Sequence, residues 1–188
     1  MNAKAPPFRY TLEQYYALLK ASDGCYEYED GEIVSMAGSW EHGVISDNII
    51  YHSRRRLEGS GCPAYSMQTA ILTTEWEPFR FADAYIICGE PEIEIIDGIA
   101  AIKNPTVIFE VLSPGTETKD RNRKRQAYFA IEGLQSYVLI NQYTPVITVY
   151  TRRADGWERA DTLGLESLIE VADMQLPLSE IYEGVEFR

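Results

Sequence analysis

A chain of 188 residues, 45% hydrophobic and 24% charged, has the length for one domain with a full core and the balance of an ordinary folded protein. Its formal charge of −12 excludes a protein that holds nucleic acid through its overall field, so any such role needs local basic groups or metal ions. No stretch approaches the roughly 20 apolar residues of a membrane span, and residues 1–7 lack the charged start and apolar centre of a signal peptide, so the cytoplasm is the expected compartment and no membrane partner is expected. Cys25, Cys62 and Cys88 are odd in number and form no C-x-x-C pair, which predicts reduced structural thiols rather than a disulfide framework or a zinc site.

Thr11-Leu12-Glu13-Gln14 matches a capping box, and Leu12, Tyr15, Tyr16, Leu18 and Leu19 give the segment an apolar side, predicting a short helix ended by Asp23-Gly24. Tyr26-Glu27-Tyr28-Glu29 and Glu32-Ile33-Val34-Ser35-Met36 flank Asp30-Gly31, a dipeptide suited to a type I′ turn, and predict a hairpin. Ser39 can cap a first core helix in which His42, Ile45, Ile49 and His52 recur at helical spacing and Arg54, Arg55 and Arg56 fall near the C-terminal end. Residues 64–73, 80–88 and 106–112 predict three strands, with a loop or small hairpin at Ile96-Asp97-Gly98-Ile99. After Ser113-Pro114-Gly115 the pattern predicts a helix from about Thr118 to Glu132, then the strand Ser136-Tyr137-Val138-Leu139-Ile140. Asp155-Gly156 joins residues 146–150 to 157–159 in a further hairpin, and the segment carrying Leu176, Leu178, Ile181 and Tyr182 is expected to pack back over the core.

Glu110 stands inside the apolar run Thr106-Val107-Ile108-Phe109-Glu110-Val111-Leu112, which reads as a central strand covered on both faces. A carboxylate buried there needs a paired charge or a metal ion. Asp83, in Arg80-Phe81-Ala82-Asp83-Ala84-Tyr85-Ile86-Ile87-Cys88, is a second acid in a similar setting, and two such carboxylates are the usual magnesium arrangement for phosphoryl-ester chemistry. Strand alternation puts Glu110 on the face of Ile108 and Leu112. On the following helix Asp120, Lys124, Ala127, Tyr128 and Ile131 recur at three- and four-residue steps, so Lys124 lies within the apolar stripe and can reach the carboxylates. The alternative is a structural ion pair of Glu110 with Lys124 or Arg121. His42 can assist proton transfer, contact a phosphate, or serve only as a capping or packing residue. His52 reads as structural, and Ser113, in S-P-G, as a turn residue rather than a nucleophile.

The segments 26–34 and Glu41-His42-Gly43, then Asp83, Glu110-Val111-Leu112-Ser113-Pro114-Gly115-Thr116, Asp120, Lys124 and Tyr128 resemble the Uma-type family of bacterial proteins within the PD-(D/E)XK restriction-endonuclease-like superfamily. The similarity runs from about Thr11 to Gly184. It implies a single α/β (α+β) domain over residues 1–188, with a helix-strand-strand-strand-helix-strand core, a mixed central sheet and hairpin extensions at both ends. It also implies a magnesium-dependent phosphodiester hydrolase, with Mn2+ as a substitute ion. Asp83 takes the place of the motif aspartate and Glu110 that of the (D/E), both as metal ligands, with the Val111 carbonyl as a backbone ligand. Glu27, Glu29 and Glu41 are candidates for an N-terminal glutamate that completes the catalytic site, and Glu27 is preferred, although strand parity does not separate it from Glu29. Two positions depart from the family pattern: Ala82 stands where the motif has proline, and Leu112 where it has lysine, which makes Lys124 the natural replacement.

The leading expectation is a metal-dependent nuclease acting on nucleic acid, DNA first, in which Asp83, Glu110, Lys124 and Glu27 are the catalytic residues. The alternative is a catalytically inactive binding or assembly module that keeps the fold. A homodimer is the expected assembly for a small nuclease fold that must span a duplex.

Overall fold

The structure, a computed structural model, describes residues 9–36, 38–74, 77–112 and 120–187. The turn expected at Ser113-Pro114-Gly115 and the start of the next helix lie outside these residues. Helix α1 (Leu12–Ala21) begins with the expected box: Gln14 N donates to Thr11 Oγ1, and Thr11 N donates to Gln14 Oε1. Strands β1 (Tyr26–Glu29) and β2 (Glu32–Ser35) form the expected hairpin, with Asp30 and Gly31 both at positive φ as a type I′ turn requires. Helix α2 (Trp40–Arg56) starts at Ser39, whose Oγ accepts from His42 N.

Next come β3 (Ala64–Ser66), β4 (Ala70–Leu72), β5 (Phe79–Arg80), β6 (Ala84–Ile86), β7 (Ile93–Ile96), β8 (Ile99–Ile102) and β9 (Val107–Leu112). They are followed by α3 (Asp120–Phe129), β10 (Ser136–Asn141), β11 (Val146–Arg153), β12 (Gly156–Leu163), β13 (Leu168–Val171), β14 (Met174–Pro177) and α4 (Leu178–Ile181). The six-stranded sheet has the order β12-β11-β10-β9-β6-β3 and is mixed: β9 and β10 run parallel, the other neighbours antiparallel. The expected core order is therefore present as α2, β3, β6, β9, α3, β10.

Two of the expected strands are each divided. Residues 64–73 split into β3 in the six-stranded sheet and β4 in a four-stranded sheet of order β5-β4-β8-β7, and residues 80–88 split in the same way into β5 and β6. A run that serves two sheets has to bend between them, and in the second run the bend falls at Asp83, one residue before β6 rather than inside a strand.

The six-stranded sheet is covered on both faces. Val107, Phe109 and Val111 join Ile45 and Ile49 of α2 and the C-terminal residues Leu176, Leu178, Ile181 and Tyr182, as expected for a tail that packs back. Ile108, Tyr85, Tyr137 and Leu139 join Tyr128 and Ile131 on the α3 side. Burial of each large apolar side chain contributes roughly 1.5–3 kcal/mol. A third cluster, around Tyr15, Phe79 and Phe81, packs α1 and the β1–β2 hairpin against the four-stranded sheet.

The cysteine expectation is corrected: Cys62 and Cys88 form a disulfide, and only Cys25 is a free thiol. The β3–β6 register pairs Ala64 with Ile86, so the next pair outward but one is Cys62 with Cys88. Gly89 N donates to Gly61 O and Ile87 N to Pro63 O, which leaves the cysteines facing each other at a non-hydrogen-bonded position, where side chains come closest. A spacing of 26 residues carries no hint of that register.

Candidate functional site

Register brings the two acids together. Ala84 pairs with Phe109, so Asp83 and Glu110 are the next opposed positions on adjacent antiparallel chains, with the Glu110 side chain on the α3 face. Both are buried. Asp83 Oδ2 accepts from Val111 N at 2.6 Å, which fixes the carboxylate against β9. Its Oδ1 lies 2.6 Å from His42 Nε2, supplied by the first turn of α2. Glu110 Oε1 accepts from the Tyr128 hydroxyl at 2.8 Å, so α3 presents Tyr128 as well as Lys124 to the acid.

Lys124 lies between two carboxylates, 3.1 Å from Glu27 Oε1 and 3.4 Å from Glu110 Oε2. The helical spacing that placed Lys124 in the apolar stripe thus points its ammonium at the sheet. Glu27 is sealed from solvent at 1% exposure, and three donors hold it: Phe81 N at 2.9 Å and Lys124 on Oε1, and Arg80 Nη1 at 3.0 Å on Oε2. Glu29, the same-parity candidate, pairs with Arg80 at 3.0 Å. Glu41 lies on the first turn of α2, and among the described residues no hydrogen bond or ion pair joins it to this cluster.

Sequence reasoning passed over Arg80. Its side chain is 0% exposed and bridges Glu27, Glu29 and Glu77. The available signal was the one that singled out Glu110, a charge inside an apolar run, here Phe79-Arg80-Phe81. Glu77 continues the alternation of charge outward to Arg123 at 2.8 Å, and Arg123 makes a bidentate pair with Asp30 at the hairpin turn. His52 is placed away from the acids and pairs with Glu180 at 3.0 Å, in line with a structural part.

The electrostatics follow from burial and charge count. Burial pushes the Glu110 carboxyl up to about 7; Lys124 and the Tyr128 hydroxyl oppose this, while Asp83 and Glu27 add to it. Burial alone would lower the Lys124 pKa, but Glu110 and Glu27 outweigh it and hold the ammonium above its usual range. For His42 burial acts downward, the hydrogen bond and charge of Asp83 act upward, and the net direction is up. Arg80 follows the same logic, desolvated yet held charged by Glu27, Glu29 and Glu77. Three acids therefore converge, and at Glu110 burial outweighs the compensation that Lys124 and Tyr128 supply.

Among the described residues no three His, Cys, Asp or Glu side chains form a ready metal cage. The donor set on offer is smaller: the carboxylates of Asp83 and Glu110 with the Val111 backbone beside them. Magnesium is commonly held by one or two carboxylates plus water and substrate oxygens, so hard oxygen donors in this number fit it.

Comparison with known proteins places the chain. A crystal structure of a "putative nuclease belonging to DUF820" from Anabaena variabilis superposes with a TM-score of 0.64 over 86% of this chain and 91% of that one, at 16% identity. The fold is accordingly restriction-endonuclease-like. Two uncharacterized proteins of Synechocystis sp. are each 27% identical, one over 99% of this chain and 98% of its own length, the other over 80% and 85%. Residues 12–179, from the first helix to the last, match the family described as "Putative restriction endonuclease", and the chain is a member of that Uma2 family.

Proposed function

We propose that the chain is a metal-dependent nuclease that hydrolyses phosphodiester bonds of nucleic acid, with DNA as the first substrate to test. The opposition of Asp83, just before β6, and Glu110 on β9, with the ammonium of Lys124 beside Glu110, supports this reading most directly. Asp83 and Glu110 would hold Mg2+, or Mn2+ in its place, with the Val111 carbonyl as a further ligand. The ion would supply Lewis-acid stabilisation of phosphoryl oxygens and a more acidic bound water.

The protein's own groups divide the remaining work. Lys124 stays protonated at neutral pH, which suits it to stabilising negative charge on the scissile phosphate and not to taking a proton from water. Glu27, already held by two cations and an amide, acts as a positioning residue that aims Lys124. Tyr128 orients Glu110, and His42 together with Val111 N orients Asp83.

Manganese calorimetry on the folded wild type and on Glu110→Gln tests the acidic site without a choice of substrate. Binding is expected in the wild type and is expected to be lost in the variant. Nicking of DNA is expected only with a divalent ion and is expected to vanish in Asp83→Asn, Glu110→Gln and Lys124→Met. Equal nicking by all three would expose a contaminant. Glu27→Gln separates its two roles: a positioning residue leaves manganese affinity nearly unchanged while turnover drops, whereas a metal ligand lowers both.

One observation favours the inactive module. With Leu112 at the motif lysine position, Lys124 is engaged by two carboxylates, and such a closed ion-pair cluster can be purely structural. On that reading the wild type binds no manganese even at millimolar concentration.

A further inference from the structure

We infer, on the nuclease reading above, that the substrate is bound through unpaired bases, by stacking on an aromatic rim made of Trp40 and Tyr143, so that single-stranded or frayed nucleic acid is preferred to duplex.

The rim is stitched together by hydrogen bonds. Ser39 Oγ donates to Gln142 Oε1 at 2.8 Å, and Gln142 Nε2 donates to the Tyr143 hydroxyl at 3.0 Å, joining the start of α2 to the turn after β10. Trp40 follows Ser39 directly, and two residues further on His42 touches Asp83. On the other side, β10 pairs Leu139 with Glu110 and Asn141 with Leu112, so Gln142 and Tyr143 leave the sheet just past the acids. Both rings are open to solvent, Trp40 at 80% and Tyr143 at 50% exposure. Tryptophan is well buried on average, so an indole this exposed, one residue from an ordered cap, has no packing role to account for it.

The charge of the described residues weighs against the usual alternative. Duplex binding depends on cations that track two phosphate backbones. Among the described residues the cations around the site are engaged: Lys124 by Glu27 and Glu110, Arg80 by three glutamates, and Arg123 by Asp30 and Glu77. Arg54, Arg55 and Arg56 end α2, with Arg56 about 21 Å along the helix from His42. In a chain of charge −12 whose described cations near the acids are already paired, contacts that need no cation gain weight. Stacking of bases on aromatic rings meets that requirement and is available only where bases are unpaired.

The test measures anisotropy of a fluorescein-labelled 20-mer of mixed-sequence single-stranded DNA and of its duplex, with chelator present to prevent cleavage. The single strand is expected to bind at least tenfold more tightly, with a shallow dependence on salt. Trp40→Ala is expected to weaken single-strand binding about 5- to 100-fold, the worth of one base stack, Trp40→Phe to retain most of it, and Tyr143→Ala to weaken it in the same direction. Equal affinity for the two forms, or no effect of Trp40→Ala, overturns the inference. So does a Trp40→Ala variant that changes only from dimer to monomer in sedimentation, because the rim then serves a second copy of the chain. Cleavage with magnesium keeps the two readings apart. Trp40-dependent binding without any cleavage sinks the nuclease reading alone, whereas divalent-dependent cleavage indifferent to Trp40 and to strandedness sinks the stacking alone.

Discussion

Glu110 carries a conflict between stability and use. Its folded-state pKa, up to about 7 from an ordinary 4.5, means that the metal-free folded protein binds the proton more tightly than the unfolded chain. Stability of that form should fall as pH rises through this window, and Glu110→Gln, which cannot ionise, should escape the loss. Urea unfolding in chelator at pH 8 should find the variant more stable by up to about 3 kcal/mol, with the gap closing near pH 4.5. Arg80 should behave in the opposite way. Arg80→Met removes the cation that Glu27, Glu29 and Glu77 share and should cost about 3–5 kcal/mol in the same measurement. The residues themselves were legible to different degrees. Glu110, Asp83 and Lys124 could be read because each is a charge where periodicity demands an apolar side chain. That Lys124 would reach Glu110 could be read from the helix stripe, but its second partner Glu27 and the partners of Arg80 could not, because β1 and β5 meet only in three dimensions.

Among the elements, the start of α2 deserves the closest test because cap, rim and site meet there. Gly38 lies against the His42 ring: a Cβ at this position would stand 2.7 Å from His42 Cγ. Gly38→Ala should push the imidazole off Asp83 and, on the proposed nuclease reading, lower nicking about 10- to 100-fold, as small misplacements at a reacting centre do. Ser39→Ala removes a cap bond and should cost about 1 kcal/mol in urea unfolding, with a smaller effect on turnover. Helices and hairpins were readable from sequence because caps and turn dipeptides are local: Thr11 with Gln14, Ser39 and Asp30-Gly31 served as expected, while the hairpin expected at Asp155-Gly156 turns one residue earlier, at Ala154-Asp155, with Gly156 opening β12. The division of residues 64–73 and 80–88 between two sheets was not readable. Periodicity reports that a run is extended, but not which neighbour it pairs with on either side of a bend.

Across the whole molecule, the Cys62–Cys88 bond fastens the edge strand β3 to β6 just past the end of β6 at Ile86. Closing a loop of 26 residues is worth about 3–4 kcal/mol on a chain-entropy basis. Dithiothreitol should lower the urea midpoint of the wild type and leave that of a Cys62→Ser, Cys88→Ser double variant where it was. The hairpin of β1 and β2 is fastened differently. Among the described residues it shares no ladder with either larger sheet, and Glu27 is held in the site by side-chain and amide contacts with Arg80, Phe81 and Lys124. It is therefore free to detach as a unit at a lower free energy than global unfolding requires. Its amides should exchange with deuterium ahead of those in β9 and β10, and on the proposed nuclease reading urea too dilute to melt the central sheet should already abolish nicking, which would make nicking a more sensitive gauge of solvent conditions than the fold itself.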